Sequence, residues 1–286
     1  EEDFVEHLFV ANTHSYILFF TDKGKCYWVK VYDIPEGGRA AKGRAIVNLI
    51  GCEPDEKVSA FISVKEFNDD HYVVMATEKG MVKKTKLSAY SNPRKKGIYA
   101  VEIRDGDKLI EARVSTGDND ILLGTRNGKS IRFSEEQIRA SGRKTMGVKG
   151  ITLSSEDDRL VGMLLIKREG TVLVATEKGF GKRTEISQYR AQKRGGKGVL
   201  TMKTTDKVGK MVTIKEVVDK DDLMIITNQG VLIRLPVAQI RSIGRATQGV
   251  KLIKLGEGTL VSSITRIMSE EEEDENNNTE STEPKE

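Results

Sequence analysis

Lysine and arginine are the residues of this 286-residue chain whose types and spacing could do chemistry, and that chemistry is the binding of anions. The densest case is Gln192-Lys-Arg-Gly-Gly-Lys-Gly198. Its paired glycines, Gly195 and Gly196, allow close backbone approach, and their N–H groups can face phosphate oxygens. Lys193, Arg194 and Lys197 bring charge to the same place and are the expected main anchor. Secondary contacts are expected from Lys83, Lys84, Arg94, Lys95, Lys96, Arg143, Lys144, Lys182, Arg183, Arg241 and Arg245. A nucleotide-binding P-loop is excluded, because no Gly-x-x-x-x-Gly-Lys-Ser/Thr follows a strand and opens a helix.

No other set of residues suggests a reaction. Cys26 and Cys52 stand apart, with no Cys-x-x-Cys, and read as small core residues of a protein from a reducing cytoplasm. His7, His14 and His71 lack metal-ligand spacing, and no nucleophile has a triad-like partner. No apolar run reaches the roughly 18 residues that cross a bilayer. The start, Glu-Glu-Asp-Phe-Val-Glu, has no secretion signal and no initiator Met, so a piece of a longer chain is expected.

The basic residues are placed by a five-fold repeat. Thr-x-x-Gly recurs at Thr21–Gly24, Thr77–Gly80, Thr125–Gly128, Thr176–Gly179 and Thr227–Gly230. A second glycine follows each, at Gly43, Gly97, Gly147, Gly198 and Gly249. A period near 50 residues marks an array of small units. An apolar run precedes each first glycine and a more alternating run follows it, so each motif reads as a hairpin with glycine at the turn. A third strand is expected after each second glycine: 45–49, 99–103, 148–153, 199–202 and 250–253. A fourth is expected before each hairpin: 8–10, 58–64, 109–114, 160–166 and 212–217. Residues 260–268 read as one more such strand, and Glu135 to Ala140 as a short helical segment. The fold class is all-β, a propeller-like array of four-stranded blades of about 50 residues. Residues 1–268 form that domain. Five hairpins are complete, as though the chain were cut where a sixth blade would stand. Residues 269–286 read as a disordered acidic tail.

Net charge is only +4, but it is unevenly placed. The 88 residues between paired glycines carry 24 Lys or Arg against 5 Asp or Glu. Five equivalent basic loops suit a long polyanion. Four residues after the first glycine, four repeats carry Lys84, Arg132, Arg183 or Arg234, and the first carries Trp28. Ten residues after it come Ile34, Tyr90, Ile138, Tyr189 and Ile240, which makes the tyrosines packing residues.

The 192–198 run resembles the seven-residue box of the C-terminal domain of the DNA gyrase A subunit. Residues 2–14, 42–49, 80–85, 179–184 and 244–250 are also similar to that domain, in the same order. The resemblance implies a six-bladed β-pinwheel in which each blade lends a strand to its neighbour and DNA wraps the basic outer rim. The partners it implies are duplex DNA, the N-terminal cleavage part of the gyrase A subunit, and the gyrase B subunit. They would meet in an A2B2 complex in the bacterial cytoplasm, on the chromosome. Magnesium and ATP then belong to the rest of that enzyme, with no cofactor here. The family's box lies in its first blade, which this chain lacks. Here it stands in the fourth repeat.

Affinity is expected from phosphate contacts without base readout, since no recognition helix is present. The tail is expected to compete with DNA for the rim. The alternative is the DNA-guiding C-terminal domain of topoisomerase IV, on its own A-type chain. A protein-interaction propeller predicts mixed charge in the loops, which the basic excess opposes. An independent enzyme lacks a candidate nucleophile or base.

Overall fold

The Thr-x-x-Gly motif folds the same way five times. In the computed structural model, which describes residues 11–37 and 45–267, each motif glycine donates its N–H to the motif threonine carbonyl at 2.9–3.0 Å. Each of these glycines has φ between +76° and +82°, the left-handed region that a side chain disfavours. The hydroxyls of Thr21, Thr77, Thr125 and Thr227 accept the N–H of the residue after the glycine at 3.1–3.3 Å. Thr176 instead donates its hydroxyl to the Val208 carbonyl.

These hairpins are the middle of each sheet. In chain order the elements are β1 (Tyr16–Thr21), β2 (Lys25–Lys30), the helix α1 (Ile46–Ile50), β3 (Val58–Val64), β4 (Tyr72–Thr77), β5 (Met81–Lys86), β6 (Ile98–Tyr99), β7 (Leu109–Ser115), β8 (Asp120–Thr125), β9 (Lys129–Ser134), β10 (Val148–Lys149), β11 (Leu160–Ile166), β12 (Thr171–Thr176), β13 (Phe180–Glu185), β14 (Val199–Leu200), β15 (Met211–Val217), β16 (Asp222–Thr227), β17 (Leu232–Pro236), β18 (Val250–Lys251) and β19 (Val261–Ile267). The sheet orders are β3-β1-β2-β6, β10-β5-β4-β7, β11-β8-β9-β14, β15-β12-β13-β18 and β17-β16-β19. The pairings within them are antiparallel.

Every four-stranded blade therefore completes itself from the next repeat. The two-residue strand after a second glycine pairs with the hairpin of the repeat before it: Ile98 with Cys26, and Val148 with Val82. The seven-residue strands also belong to the hairpin that precedes them, as Phe61 pairs with Phe19. This regroups the expected strands. The third strands are two residues long, because only that much of the segment meets its partner. Residues 45–49 are not a strand. Among the described residues they have no preceding hairpin to join, and the segment closes a helical turn, Gly51 N–H to Val47 O at 2.9 Å. Glycine at that helix end has φ +65°. The expected helix at 135–140 is a 3-10 turn over Glu135–Gln137. The fifth sheet has three strands among the described residues, not four. Strand 8–10 and the acidic tail lie outside the described residues.

The chain forms two compact units. Among the described residues, one holds the first three blades, 11–37 and 45–167 with 190–199. Its hairpin strands β1, β4 and β8 are buried on both faces, so their runs are apolar throughout rather than alternating. Leu18, Phe20 and Ile62 pack with Val73, Met75 and Leu109, joining the first blade to the second. Val74, Ala76 and Val82 pack with Ile121, Ile131 and Phe133, joining the second to the third. Among the described residues the other unit holds 168–189 and 200–267, and its core runs from Leu173 and Val217 to Leu223, Ile240 and Ile264.

Candidate nucleic-acid interface

Strand exchange creates a corner at each repeat. Before a repeat's chain can reach the preceding blade, it must run along that blade's second hairpin strand. Ser141 N–H donates to Lys84 O at 2.9 Å, Gln192 N–H to Arg132 O at 2.8 Å and Ile243 N–H to Arg183 O at 2.9 Å. The second glycine is where the two backbones come closest. A Cβ on Gly147 would lie 2.4 Å from Val82 O, and one on Gly249 would lie 2.6 Å from Gly181 O. The corners carry the basic residues outward on this scaffold.

In the box corner, Arg194 is tied down at three points. Its N–H donates to Gln137 Oε1 at 2.9 Å, Nε to Gln137 O at 3.0 Å and Nη1 to Lys149 O at 3.1 Å. Arg143 and Arg245 repeat the last contact, with Nη1 on Tyr99 O at 3.0 Å and on Leu200 O at 2.8 Å. These three arginines and Gln192 are half-buried. Lys193, Lys197, Arg94, Lys95, Lys96, Lys144 and Arg241 are exposed. The Gly195 N–H does not face outward as expected. It donates to Gly150 O at 2.6 Å, while Gly195 O and Gly196 O accept from the Thr152 hydroxyl and N–H at 2.7 and 2.8 Å. Gly195 and Gly198 have φ +81° and +69°, so glycine here serves the turn and the close approach.

Four expected contact residues are buried and cannot reach a phosphate. Lys83 is 1% exposed and Lys182 0%. Lys83 Nζ donates to Ala100 O and Arg143 O at 2.6 and 2.5 Å. Lys182 Nζ donates to Gly244 O at 2.6 Å, Thr247 Oγ1 at 3.0 Å and Arg245 O. Burial, with Arg143 nearby, pushes the Lys83 amine down to about 7, and burial with Arg245 pushes Lys182 down to about 8. Lys84 pairs with the buried Glu135 at 3.5 Å and lies 5.0 Å over the Tyr72 ring. Arg183 pairs with Asp219 and donates to Ile240 O at 2.8 Å. The charge four residues after these first glycines is thus engaged within the fold, with partners in the same repeat or the next. Arg132 and Arg234 follow it, with Nε on Asp120 and Asp222 at 2.8 and 2.7 Å, and Trp28 packs on Tyr16 at 4.8 Å between ring centroids.

Other exposed bases escaped the sequence reading. Arg139 and Arg190 are exposed and stand where Arg241 stands in the fifth repeat, 51 residues apart each time. The period itself was the signal. Lys149 and Lys251, on the exchanged strands β10 and β18, are also exposed. Only the exchange reveals their place beside a corner.

Tyr90 and Tyr189 are buried packing residues, as their repeat position predicts. Tyr189 Oη lies 2.6 Å from Thr201 Oγ1. Cys26 is buried, and burial raises its thiol far above the usual range, which keeps it an inert core residue. Among the described residues no group of three or more His, Cys, Asp and Glu side chains is placed to hold a metal ion. No helix among them is long and apolar enough to cross a membrane.

Comparison with known proteins agrees with this geometry. The model of the family described as DNA gyrase C-terminal domain, beta-propeller, matches residues 15–65, 71–116, 119–167, 170–217 and 221–267, one match per blade. The DNA gyrase A subunit of Staphylococcus epidermidis is 45% identical over 274 residues, covering 95% of this chain and 31% of that protein. The DNA gyrase A subunit of Salmonella typhimurium is 43% identical over 267 residues, covering 93% of this chain and 30% of that protein. The chain therefore spans under a third of the length of these relatives. The crystal structure of the C-terminal domain of DNA topoisomerase IV superposes with a TM-score of 0.84 at 25% identity, covering 94% of this chain and 85% of that one. The DNA gyrase A C-terminal domain superposes with a TM-score of 0.79 at 23% identity, over 90% and 84% of the two chains, which is a likeness of fold. With all five blades matched in order, the chain belongs to the DNA gyrase C-terminal domain family.

Proposed function

We propose that this chain binds duplex DNA through its exposed basic corners, as the C-terminal part of a DNA gyrase A subunit. In the whole enzyme it wraps DNA and so supports ATP-dependent negative supercoiling. The observation that carries this reading is the corner itself. A fixed backbone turn holds an anchored arginine with exposed lysines or arginines beside it, and it recurs at the period of the blades. Phosphate contacts supply the affinity, and no side chain is assigned to base edges. Strand cleavage, magnesium and ATP hydrolysis fall to the proposed partners, which are the N-terminal part of the gyrase A protein and the gyrase B protein. The site of action is the bacterial cytoplasm, on the chromosome.

Bending 20–30 bp of duplex by 40–90° costs on the order of 1–6 kcal/mol. Several corners, each neutralising two or three phosphates, offset that. With about ten phosphates neutralised, log affinity falls against log salt with a slope near −9. The test is to ligate a nicked plasmid in the presence of the protein and read the linking-number distribution. A salt-sensitive shift toward positive supercoils supports wrapping. Tight binding without a shift supports the guiding role of a topoisomerase IV domain, a reading favoured by the 0.84 TM-score to that structure. Absence of binding overturns both.

A further inference from the structure

Two of the corners differ from the rest in what lies beneath them. Lys83 and Lys182 stand three residues after their first glycines, where the other repeats have Tyr27, Ile131 and Ile233. The corner over Lys83 reads Gly142-Arg-Lys-Thr-Met-Gly147, and the corner over Lys182 reads Gly244-Arg-Ala-Thr-Gln-Gly249. Both are Gly-Arg-x-Thr-x-Gly. Over Tyr27 the corner reads Pro93-Arg-Lys-Lys-Gly97, and over Ile131 it reads Lys193-Arg-Gly-Gly-Lys-Gly198. The lysine and the corner sequence thus go together twice within one chain. The turns also match: Thr145 and Thr247 each donate a hydroxyl to the carbonyl of Gly142 and of Gly244, both at 3.0 Å.

A buried ammonium turns carbonyls inward. Arg143 O and Arg245 O both accept from these amines. In a trans peptide the C=O and N–H point in opposite directions, and no cis peptide is present among the described residues. The N–H groups of Lys144 and Ala246 therefore point away from the buried nitrogen, at exposed residues. Beside each stands an arginine fixed by one nitrogen, Arg143 or Arg245. An outward N–H with a guanidinium at its side is a receptor for one oxyanion.

We infer that Lys83 and Lys182 are positioning residues for two phosphate sites, Arg143 with the Lys144 N–H and Arg245 with the Ala246 N–H, each taking a phosphodiester oxygen of duplex DNA. This rests on the DNA-binding reading above. A phosphate on the far side of the peptide favours the charged form of the lysine behind it. The charged group acting on Lys83 is Arg143, and the one acting on Lys182 is Arg245. The buried Cys26 and Tyr90 near Arg143 stay neutral, because burial raises both. The lysines are what titrates at these corners.

The test compares the wild-type chain with the Lys83→Met, Lys182→Met double variant on a 40 bp duplex. Without its hold on two phosphates, the variant binds about tenfold more weakly and its salt slope is shallower by about 2. Calorimetry in two buffers of different ionisation enthalpy, at pH 7.5, shows proton uptake on binding by the wild type and less by the variant. A loosened fold alone would not change proton uptake. If the variant does not fold, the wild-type measurement decides alone, and binding without proton uptake overturns the inference. A folded variant with unchanged slope and affinity also overturns it, while DNA binding itself stands. A wild type that binds no DNA defeats the broader reading instead.

Discussion

Gly198 and Ser130 approach so closely that a Cβ on the glycine would sit 2.3 Å from the serine carbonyl oxygen. Gly198 also has φ +69°. Both facts come from one event, the passage of the fourth repeat onto the hairpin of the third. Gly198→Ala should destabilise the protein by more than about 2 kcal/mol, since left-handed strain of about 1 kcal/mol adds to the clash. Urea unfolding measures this. A loss below about 0.5 kcal/mol would mean that the two strands separate freely.

Lys193 and Lys197 are exposed beside an arginine that is already anchored. Their joint replacement by Ala should make the salt slope for duplex binding shallower by about 2 and leave the melting temperature unchanged. The same holds for Arg139 with Arg190. An unchanged slope in both variants would move the binding surface away from the corners.

Lys83 has a folded-state pKa near 7, below its unfolded value. The stability from this shift is present in full above the unfolded pKa and is lost as pH falls through about 7. Wild type should therefore gain stability relative to Lys83→Met between pH 7 and 9, in urea unfolding at each pH. Comparison with the variant cancels the buried Tyr90 and Cys26, which oppose the trend as pH rises. A constant difference across that range would contradict a depressed lysine.

The Tyr189 hydroxyl shares a buried hydrogen bond with Thr201 at 2.6 Å. Tyr189→Phe should cost about 1 kcal/mol in stability and leave DNA affinity where it was. A large drop in affinity at unchanged stability would give the hydroxyl a contact with the ligand.

Much of the fold was legible in the sequence because it is local. Thr21 and Gly24 close their own hairpin with bonds over three and four residues, and five copies make the pattern plain. The exchanged strands were not legible in their true length, because the partner of Ile98 is Cys26, across a whole repeat. The same holds for residues 45–49, which have the composition of a strand and fold as helix where, among the described residues, no strand pairs with them. At the site, adjacent lysines misled. Lys83 and Lys84 look alike beside Lys86, yet both are buried, one under carbonyls and the other on Glu135. Burial of charge depends on acceptors that arrive from another repeat, and composition does not record them.

Exchange between repeats also gives the array a direction, like courses of roof tiles. The outer strand of one blade comes from within the next repeat, after that repeat's own hairpin, as β10 does for the blade of β4 and β5. Damage to a repeat therefore lifts the edge of the blade before it and leaves the following hairpin intact. A fragment cut cleanly between repeats would still end with a frayed blade. No cut leaves both sides whole: just after β10 the blade of β4 and β5 is complete, but β8 and β9 are parted from β11.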